Sequence, residues 1–176
     1  MRITSGQYRG RVLEGPKSDK VRPTSDKVRQ AIFNILNHGA KPLDGASVLD
    51  LFCGTGGLGI EALSNGASAV HFVDMDTSLI RKNIDKLGIG DEAQVTRKDV
   101  LKFHTPKTYD FIFMDPPYHM ELAHKTLEHL QSLGVMKPDS LLIVETEKEA
   151  KLPPSFKIIQ EKIYGDIKVS FLEQDQ

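Results

Sequence analysis

Asp115-Pro116-Pro117-Tyr118 is the stretch of this 176-residue chain whose residue types are most suited to chemistry. Two consecutive prolines fix φ and remove two N–H donors, so the turn is stiff and its carbonyls are free to accept. Asp115 adds a carboxylate, and Tyr118 adds a flat ring on which a base can stack. An exocyclic amine on a nucleobase needs this set: acceptors aimed at its N–H groups and a surface for its ring. The apolar run Tyr109 to Asp115 reads as a strand, so the tetrad sits at a strand's carboxyl end, where ligands lie in an open α/β sheet.

A second constellation precedes it. Val48-Leu49-Asp50-Leu51-Phe52-Cys53-Gly54-Thr55-Gly56-Gly57-Leu58-Gly59 runs from an apolar segment through glycines into Ile60-Glu61-Ala62-Leu63, the order strand, turn, helix. Its spelling, Gly54-x-Gly56-x-x-Gly59, fits a dinucleotide fingerprint, and Asp74, 20 residues after Gly54, can accept from a ribose diol. Asp50 separates the two ligand classes that this spelling allows. A carboxylate four residues before the first glycine repels a pyrophosphate and attracts a ligand bearing a sulfonium and an ammonium. A nicotinamide-dependent oxidoreductase therefore fits less well than a protein whose ligand carries positive charge beside the turn. Asp99, just past the third strand, is a fourth acid on the same sheet edge.

The elements that must position these residues alternate. Strands are expected at Ser47–Phe52, Ala69–Asp74, Ala93–Thr96, Tyr109–Asp115 and Leu141–Val144. Helices are expected at Gly57–Asn65, at about Thr77–Leu87, and where Leu122, Leu127, Leu130 and Leu133 recur. Phe156–Ile163 and Ile167–Phe171, around Tyr164-Gly165-Asp166, alternate like an antiparallel hairpin. Ahead of this body, residues 2–13 read as a short hairpin. A helix capped by Thr24 or Ser25 follows, with Val28, Ala31, Ile32, Ile35 and Leu36 on one stripe. The fold class is thus α/β: a doubly wound, Rossmann-like, mostly parallel sheet with a C-terminal antiparallel hairpin and a small N-terminal hairpin-plus-helix extension. Residues 1–40 form the extension and 41–176 the body.

Charge is unevenly divided. Residues 1–40 carry eight Lys/Arg against three Asp/Glu, whereas the rest carries 15 against 21. A basic arm on an acidic body suits contact with a polyanion. No apolar run approaches the length of a membrane span, and the N-terminus has no signal-peptide core. The single cysteine, Cys53, forms no internal disulfide, which suits a reducing cytoplasm. His119, His124 and His129 do not stack on one helix face, so no metal site is expected.

These motifs resemble known families. Asp50-x-x-x-Gly54-x-Gly56 resembles the cofactor motif of S-adenosylmethionine-dependent methyltransferases, and Asp99-Val100 the place where they hold the adenine amino group. Asp115-Pro116-Pro117-Tyr118 resembles the signature of amino-methyltransferases acting on adenine N6, cytosine N4 or guanine N2. Arg22-Pro23-Thr24-Ser25-Asp26-Lys27-Val28-Arg29-Gln30-Ala31-Ile32-Phe33-Asn34-Ile35-Leu36 is similar to the N-terminal signature of the RsmD-type bacterial 16S rRNA guanine-N2 methyltransferases. So are Met1-Arg2-Ile3 with Gly6-Gln7-Tyr8-Arg9-Gly10-Arg11, Gly59-Ile60-Glu61-Ala62-Leu63-Ser64 and Tyr164-Gly165-Asp166. Gln30, Cys53 and Gly57 depart from that family's usual residues.

The resemblance implies methyl transfer from S-adenosylmethionine, leaving S-adenosylhomocysteine, to a guanine N2 of 16S rRNA. The substrate is expected within the small ribosomal subunit or an assembly intermediate, and the enzyme is expected to be a cytoplasmic monomer. A different RNA, or adenine N6 or cytosine N4 of DNA, is the same-chemistry alternative. The implied catalytic residues are Asp115, Pro116, Pro117 and Tyr118. The implied cofactor site comprises Asp50, Phe52, Cys53, Gly54, Thr55, Gly56, Gly59, Asp74, Met75, Asp99 and Val100. Arg9, Arg11, Arg22, Thr24, Lys27 and Arg29 are the expected RNA contacts.

Overall fold

The computed structural model describes residues 1–16, 24–117 and 120–175. Seven strands form one sheet: β1 (Ser47–Leu51), β2 (Ala69–Asp74), β3 (Ala93–Arg97), β4 (Tyr109–Met114), β5 (Met136–Glu147), β6 (Phe156–Tyr164) and β7 (Ile167–Gln174). Their order is β3-β2-β1-β4-β5-β7-β6. The first five pair in parallel, and β7 inserts antiparallel between β5 and β6. Alternation of side chains across each strand divides the core into two layers. Val48, Phe72, Phe113 and Ile143 face α1 (Asp26–Asn37), α2 (Gly57–Ser64) and α3 (Ser78–Leu87). Leu49, Val73, Ile112 and Val144 face α4 (Met120–Leu133) and a 3₁₀ turn at Val100–Lys102.

The N-terminal segment is built into the first layer. Ser25 caps α1 by accepting from the Val28 N–H at 3.1 Å. Ile32 and Phe33 are fully buried, and the Phe33 ring lies 5.5 Å from that of Phe113. Ile3 and Leu13 join the same cluster. The expected hairpin has one bridge, Arg2 with Val12, and its arms are joined by the Ile3 N–H to the Arg11 carbonyl at 3.0 Å and the Leu13 N–H to the Met1 carbonyl at 2.9 Å, while its tip bonds to α2. The Gln7 N–H donates to the Ser64 carbonyl at 2.7 Å, and the Tyr8 N–H to Ser64 Oγ at 2.8 Å.

β5 departs most from expectation. It begins at Met136 rather than Leu141 and runs through Glu147. Pro138 and Asp139 disfavour a strand by type, but here the pairing with β4 shifts register between Tyr109 and Phe111 to accommodate them. No helix among the described residues is long and apolar enough to cross a membrane.

Candidate active site

Sheet register gathers the acids at one edge. Asp50 is the penultimate residue of β1, Asp74 ends β2, Asp115 follows β4, and Glu145 lies near the end of β5. Met114 pairs with Val144, which brings Asp115 alongside Glu145. By alternation all four acids share the layer of Val48, Phe72, Phe113 and Ile143, beneath α1, α2 and α3.

Asp50 is 1% exposed, and its Oδ2 accepts from the Gly59 N–H at 2.9 Å. Burial raises its pKa to about 8, with the charges of Asp115 and Asp74 adding to the rise and the Gly59 N–H opposing it. The carboxylate thus grips the underside of the turn, where added positive charge would be welcome.

The turn itself is bent by left-handed residues: Phe52 at φ 57°, Gly54 at φ 54° and Gly56 at φ 82°. Phe52 is the non-glycine among them, a strained conformation that costs on the order of 1 kcal/mol and persists where surroundings impose it. No pattern in the sequence marks it. The glycines divide their work. A Cβ on Gly56 would come within 2.0 Å of Ile80 Cδ1, and one on Gly59 within 2.5 Å of Phe72 Cε1, so the first lets the turn pack closely on α3 and the second lets α2 pack closely on β2. Gly54 is exposed and a Cβ there would meet nothing within 4 Å, which leaves open space for a ligand on its outer side.

Asp74 Oδ2 accepts from the Gly54 N–H at 2.8 Å, and its Oδ1 from the Met75 N–H at 2.7 Å. Oδ1 also accepts from the Asp76 N–H at 3.5 Å, whereas Oδ2 keeps a second lone pair for a diol hydroxyl. Met75 beside it is 66% exposed, an apolar face offered at the site's rim. Asp99 Oδ1 accepts from the Leu101 N–H at 3.0 Å and caps the 3₁₀ turn, with Val100 buried behind it. Cys53 and Thr55 are buried walls of the turn, and burial pushes the Cys53 thiol up, away from nucleophilic chemistry.

At the tetrad, Asp115 Oδ2 accepts from Thr24 Oγ1 at 3.1 Å. Pro116 and Pro117 follow on the surface side, while Tyr118 lies outside the described residues. Glu145, which the sequence reading missed, has its Oε2 2.8 Å from the same Thr24 hydroxyl oxygen. The available signal was an acid on the inward-facing alternation just after Ile143, at the end of an apolar strand.

Two expected RNA contacts are corrected. Arg29 is fully buried, 3.3 Å from Glu61 and 2.8 Å from Asp26, with a further bond to the Arg2 carbonyl. It joins α1 to α2 and offers nothing to a phosphate. Thr24 turns its hydroxyl to Asp115 and Glu145 instead of outward. Arg9, Arg11 and Lys27 are exposed, and Arg22 lies outside the described residues. Among the described residues no group of His, Cys, Asp and Glu is placed to hold a metal ion.

This sheet order, with acids at the ends of β1, β2 and β4 around a glycine turn, defines a Rossmann-like methyltransferase. Over residues 1–173 the chain matches the family model described as Conserved hypothetical protein 95, and it belongs to that family. It is 35% identical to the Ribosomal RNA small subunit methyltransferase D of Haemophilus influenzae, an alignment covering 94% of this chain and 89% of that one. The Putative rRNA methyltransferase YlbH of Bacillus subtilis is 37% identical over 87% of this chain and 86% of its own. Among solved structures, the Putative methyltransferase yhhF from Escherichia coli superposes with a TM-score of 0.86 at 32% identity, covering 99% of this chain and 98% of that one.

Proposed function

We propose that this protein methylates the exocyclic N2 of a guanine in 16S rRNA, using S-adenosylmethionine, within the small ribosomal subunit or an assembly intermediate. The observation that carries the reading is the row of carboxylates at the strand ends beside the open turn at Gly54. The family supports it, since its curated relatives are named as rRNA small subunit methyltransferases. A cytoplasmic location and action as a monomer belong to the same reading.

The residues fit S-adenosylmethionine on three counts. The electrostatic partners of Asp50 are acids, a field that favours a sulfonium and an ammonium over a pyrophosphate. Asp74 Oδ2 keeps a lone pair for a ribose hydroxyl, and Met75 offers an apolar surface to the adenine. Asp99 and Val100 complete the cleft on the β3 side. When bound, this cofactor supplies an electrophilic methyl group whose C–S electron pair returns to sulfur as the C–N bond forms.

The chain supplies alignment and a home for a proton. The amino nitrogen of guanine is a poor nucleophile because its lone pair is delocalised into the ring. Asp115 and the Pro116 carbonyl accept its N–H groups, favour a more tetrahedral nitrogen and aim its lone pair. Alignment of this kind is worth up to ~7–11 kcal/mol in favourable systems. No strong base is needed beforehand, since the nitrogen loses its proton only after it becomes positive. The base must leave its stack to reach the tetrad. The exposure of Arg9, Arg11 and Lys27 supports a role for them in holding flanking phosphates.

The deciding experiment offers labelled S-adenosylmethionine to unmodified small subunits, naked 16S rRNA and DNA, then digests each product to nucleosides. N2-methylguanosine from the ribosomal substrates supports the reading, and label confined to DNA or to another base overturns it. Asp115→Ala in the same assay lowers turnover by about 100-fold or more with cofactor affinity held within a few-fold. Unchanged turnover would remove Asp115 from the chemistry.

A further inference from the structure

Glu145 plays no part in the motifs that define the site, yet it is only 4% exposed and stands beside the tetrad's acid. Thr24 Oγ1 lies 3.1 Å from Asp115 Oδ2 and 2.8 Å from Glu145 Oε2. A threonine hydroxyl carries one hydrogen and can donate it to one of these oxygens. The other contact is satisfied only if a carboxyl supplies a proton of its own. Glu145 Oε1 is buried and has no hydrogen-bond partner among the described residues. With both acids ionised, that oxygen would be bare and adjacent to a like charge, an arrangement paired carboxylates avoid by sharing a proton.

The surroundings do not offset two charges. From β1 the group facing the pair is Asp50, another acid. From β7, Val169 pairs opposite Glu145 and is apolar. On the α1 side, Arg29 Nη1 reaches the Thr24 carbonyl at 3.3 Å, but its guanidinium is already committed to Glu61 and Asp26.

We propose that Glu145 is a positioning residue for Asp115: near neutral pH it holds the one proton the pair keeps. Through that proton and the Thr24 hydroxyl it fixes Asp115 as the ionised acceptor of the target amine. The inference rests on the amine methylation proposed above. Burial, reinforced by the Asp115 charge, pushes Glu145 well above the usual carboxylate range, in keeping with the proton residing there. Burial raises Asp115 as well, while its bonds with Glu145 and Thr24 pull it back down. After the C–N bond forms, the positive nitrogen gives its proton to Asp115. The pair then holds two protons and is neutral, and one passes to solvent as product leaves.

The test compares Glu145→Gln with Glu145→Leu. Glutamine donates an N–H as the protonated acid does but does not titrate. At the wild-type optimum, Glu145→Gln keeps kcat within about threefold, whereas Glu145→Leu loses about 100-fold, the scale of a small misplacement at a reacting centre. The pH profile of kcat is read with saturating cofactor, where bound positive charge keeps Asp50 ionised. Wild-type kcat falls on the alkaline side as the pair loses its proton, and Glu145→Gln lacks that fall while keeping the acid limb. A glutamine variant with the wild-type alkaline fall, or one as inactive as the leucine variant, overturns the proposal.

Infrared difference spectra of the empty proteins at neutral pH give a readout independent of turnover. Wild type minus Glu145→Gln shows the carbonyl band of a protonated carboxyl, and a carboxylate band in its place overturns the proposal. Should wild type fail to methylate rRNA, the function falls while the spectrum still decides where the proton sits.

Discussion

Arg29 Nε lies 3.3 Å from Glu61 Oε1, and neither side chain shows more than 1% of its surface. The pair fastens α1 to α2, the helix that opens from the glycine turn. Glu61 also accepts from the Thr4 N–H at 2.9 Å and the Ser5 N–H at 3.3 Å, so one buried carboxylate ties three stretches of chain together. Removing one partner of a buried pair strands the other charge. Arg29→Met should therefore destabilise the protein by about 3–5 kcal/mol, with Arg29→Met/Glu61→Leu recovering part of the loss. Urea unfolding of the two variants measures this. A single mutant within 1 kcal/mol of wild type would show that the pair contributes little.

Cofactor binding should expel a proton. Asp50, held at about 8 by burial and by the Asp115 and Asp74 charges, is largely protonated at neutral pH in the empty protein. A sulfonium and an ammonium in the cleft favour its ionised form and lower that value. Calorimetry at pH 7 in buffers of different ionisation enthalpy should show up to one proton released with S-adenosylmethionine and fewer with S-adenosylhomocysteine. Affinity for S-adenosylmethionine should weaken as pH falls below 8, by up to about tenfold per unit. Equal proton release for both ligands would disconnect Asp50 from the sulfonium.

The same carboxyl makes the fold pH-sensitive. Its folded value, about 8, lies above the ordinary 3.8, so between the two the unfolded chain binds fewer protons than the folded one. Its contribution is complete below pH 3.8 and is lost as pH rises towards 8. Asp50→Asn abolishes that loss and retains an acceptor for the Gly59 N–H. Relative to wild type, the variant's Tm should gain at least about 3 °C more at pH 8 than at pH 5, the size of a ~1 kcal/mol effect. Parallel Tm curves for the two proteins would contradict it.

Arg9 and Arg11 are exposed, and the Arg11 guanidinium donates to the Lys86 carbonyl at 3.3 Å. Arg9→Glu/Arg11→Glu should raise the KM for the RNA substrate by about tenfold or more and flatten its salt dependence. Cofactor affinity should stay unchanged, and equal losses on both ligands would argue against an RNA-contacting arm.

Much of this molecule is legible from residue types because its strands are short, apolar and closed by acids or glycines. β2, Ala69–Asp74, has the bounds read from the sequence, and Ser25 caps α1 as its type suggests. Asp50 and Asp74 were legible by spacing, and each holds the glycine turn by a backbone N–H. What escaped depends on tertiary pairing. The early start of β5 is imposed by β4 against the local preference of Pro138 and Asp139. Glu145 becomes a neighbour of Asp115 only through that same pairing. Arg29 lies in a basic run that reads as a nucleic-acid contact, but helical spacing turns it inward to an acid 32 residues away.

The docking of residues 1–13 onto α2 also dictates an order of events during synthesis. The Thr4 N–H meets Glu61 57 residues later, and Ile3 and Leu13 complete a cluster whose other members extend to Phe171. Residues 1–13 leave the ribosome ahead of these partners and therefore wait, solvent-exposed, for them to emerge. Closing so long a loop is slow relative to pairing neighbours, so the amino-terminal segment is placed to join late and to set the pace of maturation.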